Sequence, residues 1–271
     1  MAQTIFITGA SSGIGKATAL RFAREGWQVA ATMRNPHGHA DLEQAGIRLY
    51  ALDVTEPEAV KEAVAQALSD AGRIDVLLNN AGYGLFGPLE TATEDKIMTQ
   101  FQTNLFGAMR TIQALLLHFR ASGGGTIINV TSIGGLVGLP FNAIYHATKF
   151  GLDGLSESLN YELRPFNIRV KVVAPGGVTT DFAGRSLQRT VEAPSPYDAS
   201  IQRVMAAFGQ RGGNYSTPGQ IADVIFQAAT DQTDQLRYVA GADAQALYAQ
   251  WKAVSNEAFF ETIQQAYGLN E

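Results

Sequence analysis

Cysteine is absent from all 271 residues. That excludes disulfides, thiolate catalysis and cysteine metal ligands, and it fits a cytoplasmic chain. No run approaches the roughly 18 uninterrupted apolar residues that a membrane helix needs. The N-terminus carries neither a charged leader nor a long apolar core, so no secretion signal is expected. A basic excess is lacking too. The formal charge is −5 and no Lys/Arg run is present, which argues against nucleic acid or a membrane surface as partners. His37, His39 and His118 show no metal-ligand spacing with acidic partners, and no metal is expected. Internal repeats, low-complexity tracts and linkers are likewise missing, so residues 1–271 read as a single domain.

What is present is alternation. Short runs rich in Val and Ile occur at 4–8, 28–33, 48–54, 76–79, 126–132, 169–174 and 236–240. Several are apolar at consecutive positions, the mark of strands buried on both faces of a parallel sheet. Amphipathic stretches at 16–25, 57–71, 96–120 and 143–163 lie between them. Repeated β-α-β units with right-handed crossovers give an α/β fold, a Rossmann-like doubly wound parallel sheet with helices on both faces. Ligands in such sheets bind outside the carboxyl ends of the strands. Residues 181–217 depart from the pattern and carry Pro194, Pro196, Gly212 and Gly213, as a functional lid does. A mostly helical extension occupies 242–271, and its aromatics (Tyr248, Trp251, Phe259, Phe260, Tyr267) need a surface to pack on, in this chain or a partner.

The first strand runs into Thr8-Gly9-Ala10-Ser11-Ser12-Gly13-Ile14-Gly15 and then directly into a helix. Glycine allows a tight turn and close backbone approach to a pyrophosphate, and the new helix turns its N–H groups toward the anion. Strand, glycine loop and helix in the first βαβ unit is the context of a dinucleotide site, with Gly9, Ser11, Ser12, Gly13, Ile14 and Gly15 as its contacts. The end of the second strand decides which dinucleotide. An NAD site places an acid there for the ribose 2′-hydroxyl, whereas an arginine suits a 2′-phosphate. Here Met33 stands where the acid is expected, Arg34 follows, and no acid occurs before Asp41. NADP(H) is therefore expected over NAD(H).

These features, with others in the same order and spacing, resemble the short-chain dehydrogenase/reductase family from the N-terminus to about Gly241. The glycine string matches the family's cofactor motif, and Asn79-Asn80-Ala81-Gly82 matches its Asn-Asn-Ala-Gly motif. Asn104, Ser132, Tyr145 and Lys149 match its catalytic tetrad, and Pro175-Gly176 matches the Pro-Gly after its sixth strand. The resemblance implies an NADP(H)-dependent oxidoreductase that interconverts a ketone or aldehyde with an alcohol. It further implies that Asp53 and neighbouring Val54 contact the adenine region, and that Asn80, Ala81 and Gly82 line the cofactor. Asn79 would stabilise the central sheet. Val178 and Thr179 would hold the nicotinamide carboxamide. Asn104 would support a relay water, and Lys149 would hold the ribose hydroxyls. A homodimer or homotetramer follows too, paired through helices 96–120 and 143–163.

The spacing has a chemical reason. Tyr145 and Lys149 are four residues apart on a predicted helix and share a face. A free tyrosine titrates near 10, about three units above neutrality. A neighbouring ammonium and an oxidised nicotinamide ring are expected to lower that value. Tyr145 then serves as general acid or base while Ser132 stabilises the substrate oxygen. His146 points about 100° away from Tyr145 around the helix, so a supporting role is expected. Thr148 stands where serine is commoner, a mild departure. Gly177 after the Pro-Gly pair is expected to loosen that loop.

Substrate is less legible. The segment 181–215 forms the substrate loop in the family, and Leu136, Val137, Leu139, Phe141, Phe182, Met205 and Phe208 are candidate lining. An apolar wall suits a hydrophobic ketone, alcohol or steroid-like compound, and Thr32-Met33-Arg34 resembles the hydroxysteroid and retinol dehydrogenase branch. Two alternatives stand beside carbonyl reduction: a 3-oxoacyl-thioester reductase, and a non-catalytic NADP(H) sensor. Intact Tyr145 and Lys149 argue against the sensor. Epimerase or dehydratase chemistry is disfavoured by the glycine spacing. Reduction is the expected direction.

Overall fold

A computed structural model describes residues 2–180, 187–190, 194–211 and 215–270. Asp181, Phe182, Gly212 and Gly213 fall outside the described residues. The expected strands form: β1 (Thr4–Thr8), β2 (Gln28–Met33), β3 (Arg48–Ala51), β4 (Val76–Asn79), β6 (Gly125–Val130), β7 (Ile168–Pro175) and β9 (Arg237–Ala240). They make one parallel sheet in the order β3-β2-β1-β4-β6-β7-β9. The order reverses beside β1, where β2 lies on one side and β4 on the other. That opens a crevice at the carboxyl edge, where such sheets bind ligands.

Helices cover both faces. On one, Ala19 and Phe22 of α1 (Gly13–Arg24) and Ile221, Ile225 and Ala228 of α8 (Pro218–Thr230) pack on Ile5, Ile7, Val29 and Ala31. On the other, α3 (Pro57–Ala71) and α5 (Gly107–Ala121) supply Val60, Val64, Ile112, Leu115 and Phe119 against Phe6, Leu77 and Ile127. Local signals set the ends of these helices. α3 starts with Pro57 in its first turn and stops at Gly72, whose φ of 75° is left-handed. α8 starts with a capping box between Thr217 and Gln220. The short α2 (Ala40–Gln44) follows β2.

Three differences from the sequence reading bear on function. The third strand ends at Ala51, because Asp53 Oδ1 accepts from the Thr55 N–H and hydroxyl in a tight turn. The stretch expected as one helix over 96–120 is α4 (Glu94–Phe101), a π-helical stretch over Gln102–Phe106, and α5. Such stretches are rare and gather at functional sites. A second, two-stranded parallel sheet pairs β5 (Gly84–Phe86) with β8 (Leu187–Arg189), tying the substrate-loop segment to the chain just after β4.

The expected helix at 143–163 is α6 (Ala143–Leu163). Within the described substrate-loop residues lies α7 (Asp198–Arg211), and the extension forms α9 (Ala242–Ala253) and α10 (Asn256–Ala266). The extension finds its packing surface within this chain. Phe259, Ile263 and Tyr267 are buried with Val204 of α7 and with Ile133, Leu136 and Val137. Tyr267 lies 5.2 Å from the Phe208 ring, while Phe260 faces solvent. No described helix is long and apolar enough to cross a membrane.

Candidate active site

The glycine loop leaves β1 at Gly9, whose φ of 70° suits glycine and whose position admits no side chain: a Cβ would lie 2.8 Å from Ala81 Cα. A Cβ on Gly15 would overlap the Gly9 carbonyl. The loop is thus pressed against Asn79-Asn80-Ala81-Gly82, and hydrogen bonds fasten the two together. Thr8 Oγ1 accepts from the Asn80 and Ala81 N–H groups, both at 3.0 Å. Asn80 Nδ2 donates to the Thr8 and Gly9 carbonyls, both at 3.0 Å. The Asn80 side chain braces the glycine loop. Asn79 is engaged inside the sheet, donating to Asn129 Oδ1 at 2.9 Å and accepting from Thr111 Oγ1.

Ser11 is exposed, and Ser12, Gly13 and Ile14 are half-buried at the α1 N-terminus. Arg34 is exposed one residue beyond β2. The Val54 side chain is buried, and a Cβ on Gly107 would lie 2.7 Å from Val54 Cγ2. On the other side of the crevice, Thr179 N donates to the Ser216 carbonyl at 2.8 Å, and Val178 bridges to Ser216. Thr180 Cγ2 stands 3.4 Å from where a Gly13 Cβ would be, so the chain after Pro175-Gly176 returns to the glycine loop.

The four tetrad positions converge from three places: the π-helical stretch, the chain after β6, and α6. Asn104 sits in the π-helical stretch, buried, with Oδ1 accepting from Tyr83 N at 3.0 Å. Its Nδ2 donates to the Tyr83 carbonyl at 2.9 Å and to Thr148 Oγ1 at 3.2 Å. Both amide protons are therefore occupied. Thr148 in turn donates to the Tyr145 carbonyl at 2.7 Å, so this departure from the family pattern is used structurally. Ser132 follows β6, with Oγ accepting from Gly134 N at 3.0 Å and a side-chain hydrogen bond to Tyr145. Lys149 Nζ lies 5.8 Å from the Tyr145 ring centre and donates to the Val130 carbonyl at 2.9 Å. A Cβ on Gly82 would be 3.1 Å from Asn104 Oδ1 and 3.7 Å from Lys149 Nζ, so the Asn-Asn-Ala-Gly segment reaches this cluster too.

Burial dominates the electrostatics of the Tyr145 and Lys149 pair. Burial of its hydroxyl end raises Tyr145 above its ordinary value, and the Ser132 hydrogen bond only partly opposes this. Burial also pushes Lys149 down to about 8. Desolvation is the largest influence on Tyr145, and it favours the protonated phenol. His146 is buried and pushed down to about 4 by desolvation, hence neutral near pH 7. Its Nδ1 accepts from Leu139 N at 3.3 Å, anchoring the loop after Ser132.

Gly177 does not loosen its loop. The Tyr215 ring lies where a Gly177 Cβ would be, and Gly177 N donates to Asp243 Oδ2 at 2.7 Å. Asp243 and Tyr215 escaped the sequence reading, since neither belongs to a motif and their link to Gly177 is made only by the fold. The residues expected to line the substrate belong to an apolar cluster. Phe86, Ile133, Leu136 and Val137 are buried in one cluster, with Leu139, Phe141, Met205 and Phe208 packed partly buried against it.

Comparison with known proteins agrees with this arrangement. A family model described as short chain dehydrogenase matches residues 3–190. A 3-ketodihydrosphingosine reductase of Bacteroides thetaiotaomicron is 37% identical over 253 residues, covering 93% of this chain and 92% of that one. Retinol dehydrogenase 8 of Bos taurus is 40% identical over 202 residues, covering 72% of this chain and 65% of that one. Among solved structures, a short-chain dehydrogenase from Streptomyces avermitilis has a TM-score of 0.85 at 31% identity, covering 100% of this chain and 98% of that one. An alcohol dehydrogenase from the archaeon Thermococcus sibiricus, complexed with 5-hydroxy-NADP, has a TM-score of 0.73 at 26% identity, covering 90% and 98%. With fold, motif order and site geometry in agreement, the chain belongs to the short-chain dehydrogenase/reductase family of oxidoreductases.

Proposed function

We propose that this chain is an NADP(H)-dependent oxidoreductase that interconverts an apolar ketone or aldehyde with its alcohol, using Tyr145 as general acid and base. The observation that carries this reading is the convergence of Asn104, Ser132, Tyr145 and Lys149 beside a crevice floored by Cβ-less backbone. The crevice fits a dinucleotide. Gly9 and Gly15 let the loop pack against Ala81 and Asn80 where any side chain would collide, which keeps the turn tight, and the N-terminus of α1 opens beside it toward an anion. In this reading Ser11, Ser12, Gly13 and Ile14 border the pyrophosphate, and Asp53, Val54, Ala81 and Gly82 the adenosine and ribose regions. Pro175, Gly176, Val178 and Thr179 border the nicotinamide, and Arg34 pairs with the 2′-phosphate. The alcohol dehydrogenase complexed with 5-hydroxy-NADP supports that choice of cofactor.

When bound, the dinucleotide gives or takes the hydride at the substrate carbon. The protein's own residues manage the oxygen. Ser132 donates to it and stabilises developing negative charge. Tyr145, kept protonated by burial, holds the proton that the oxygen needs in reduction, and receives it back in oxidation. Lys149 as an ammonium binds the ribose hydroxyls and favours the phenolate left behind. Asn104 braces the Tyr83 backbone and α6, keeping these groups in register. The apolar cluster around Leu136, Phe86 and Phe208 supports a hydrophobic substrate, as do relatives named for a ketosphingoid base and for retinol.

The test is nicotinamide absorbance, followed with NADPH and NADH in parallel against long-chain ketones, steroids, retinal and acyl thioesters. Turnover of an apolar carbonyl favouring NADPH is expected. Preference for NADH would remove the role of Arg34, and turnover confined to acyl thioesters would move the chain to fatty-acid reduction. Tight NADPH binding without turnover of any of them would point to a sensor.

A further inference from the structure

We propose that Asp243, at the head of the C-terminal extension, is a positioning residue for the nicotinamide end of the cofactor site. The inference rests on the reading above, that residues 175–179 border the nicotinamide.

Asp243 lies in the first turn of α9, 66 residues beyond the loop it touches. Its Oδ2 accepts from Gly177 N at 2.7 Å. Its two carboxylate oxygens lie where a Gly176 Cβ would project, so the Gly176 backbone rests against the carboxylate. Gly176 N donates to the Ala240 carbonyl at 3.0 Å, and Ser216 N donates to the Gly177 carbonyl at 3.0 Å. Tyr215 covers Gly177 and donates its hydroxyl to the Phe208 carbonyl of α7 at 3.2 Å. Two consecutive glycines are flexible by nature. Here both N–H groups are held on the side of β9 and α9, and Asp243 supplies the side chain that holds the second.

An acid in the first turn of a helix has an ordinary explanation, the helix dipole. That explanation needs only an exposed carboxylate near the helix N-terminus. Asp243 instead turns its carboxylate into the protein. Its Oδ1 is buried with no hydrogen-bond partner among the described residues. The carboxylate bonds Gly177 of a distant segment, so the helix dipole alone does not account for where it points. Turning the chain there needs Gly241 at a φ of 100°, and a Cβ on Gly241 would lie 2.8 Å from Asp243 Oδ1. The geometry thus commits β9, Gly241 and α9 to bringing one carboxylate to Gly177.

The experiment compares two ligands on the full-length chain by calorimetry: NADPH, and 2′-phospho-ADP-ribose, the same molecule without nicotinamide. Asp243→Ala is expected to raise the NADPH Kd about tenfold, the size of a lost charge-assisted hydrogen bond. Binding of 2′-phospho-ADP-ribose should stay within about twofold of wild type, because its contacts lie at the glycine loop. Asp243→Asn keeps an acceptor for Gly177 N and should restore most of the NADPH affinity. Should the alanine chain not fold, Asp243→Ser gives the same comparison, since its hydroxyl fills part of the polar space and falls short of Gly177. Equal weakening of both ligands would reduce Asp243 to general stability and overturn the assignment, as would unchanged NADPH affinity. A wild-type chain that binds neither ligand would instead overturn the dinucleotide reading itself.

Discussion

Tyr145 and Lys149 lose water on entering the site, and burial moves both toward their neutral forms. A protonated Tyr145 near pH 7 is ready to donate, and in the proposed reading its hydroxyl serves the chemistry more than the grip on the cofactor. Tyr145→Phe is expected to bind NADPH within about threefold of wild type while turnover falls by about 10²–10⁴-fold, the range for a lost general acid. Normal turnover in that variant would remove Tyr145 from the mechanism. Arg34 makes a separate expectation. It is exposed one residue past β2, and the 2′-phosphate it would meet is a dianion. Arg34→Asp should reverse the preference from NADPH to NADH in parallel KM measurements, and an unchanged ratio would mean that other groups hold the phosphate. Tyr145 and Lys149 stand out in the sequence because their spacing matches a family motif, and Arg34 because it follows the second strand where an acid is absent. Asp243 was not legible, because its meaning comes only from the 66-residue return that brings it to Gly177.

Elements are where sequence and structure agree most and then part. Strands buried on both faces announce themselves as apolar runs, and α3 ends where Gly72 allows a left-handed residue. The break at Gln102–Phe106 leaves no trace in the sequence, since a short π-helical stretch hardly alters an apolar period read over 25 residues. β5 and β8 have three residues each, too few for any pattern. Between β6 and α6 the loop after Ser132 is pinned by neutral His146, and this pin has a pH signature. His146 titrates at about 4 in the fold against 6.5 when free, so between those values the unfolded chain binds the extra proton. Stability is then complete above about pH 6.5 and is lost as pH falls toward 4. A displacement of about 2.5 pH units corresponds to about 3 kcal/mol. In urea titrations the stability gap between wild type and His146→Asn should shrink by about that amount between pH 7 and pH 4. A constant gap would mean that His146 stays accessible to protons in the folded chain.

At the scale of the whole molecule, one face of α6 is left without cover by the described residues. Phe150, Gly154, Glu157 and Tyr161 are all exposed, and spacings of four, three and four place them in one stripe. Met98 of α4 and Leu117 of α5 add exposed apolar surface on the helices expected to share a two-fold interface with α6. A glycine amid such a stripe lets a second helix approach closely, and a Cβ added at Gly154 meets nothing within 4 Å among the described residues. Gly154→Arg is therefore a clean probe. Within the protomer it replaces a poor helix former by a good one and should stabilise α6 by up to about 1 kcal/mol. Across the expected two-fold axis it would set a long charged side chain where two copies would meet. The expected outcome in sedimentation velocity is a wild-type dimer or tetramer and a smaller Gly154→Arg species, with circular dichroism unchanged. Because α6 also carries Tyr145 and Lys149, pairing along its outer face should steady the helix that holds both. The smaller species should accordingly turn over more slowly than wild type at saturating NADPH. A wild-type chain that sediments as a monomer would remove the oligomer expectation and leave the stripe as plain surface.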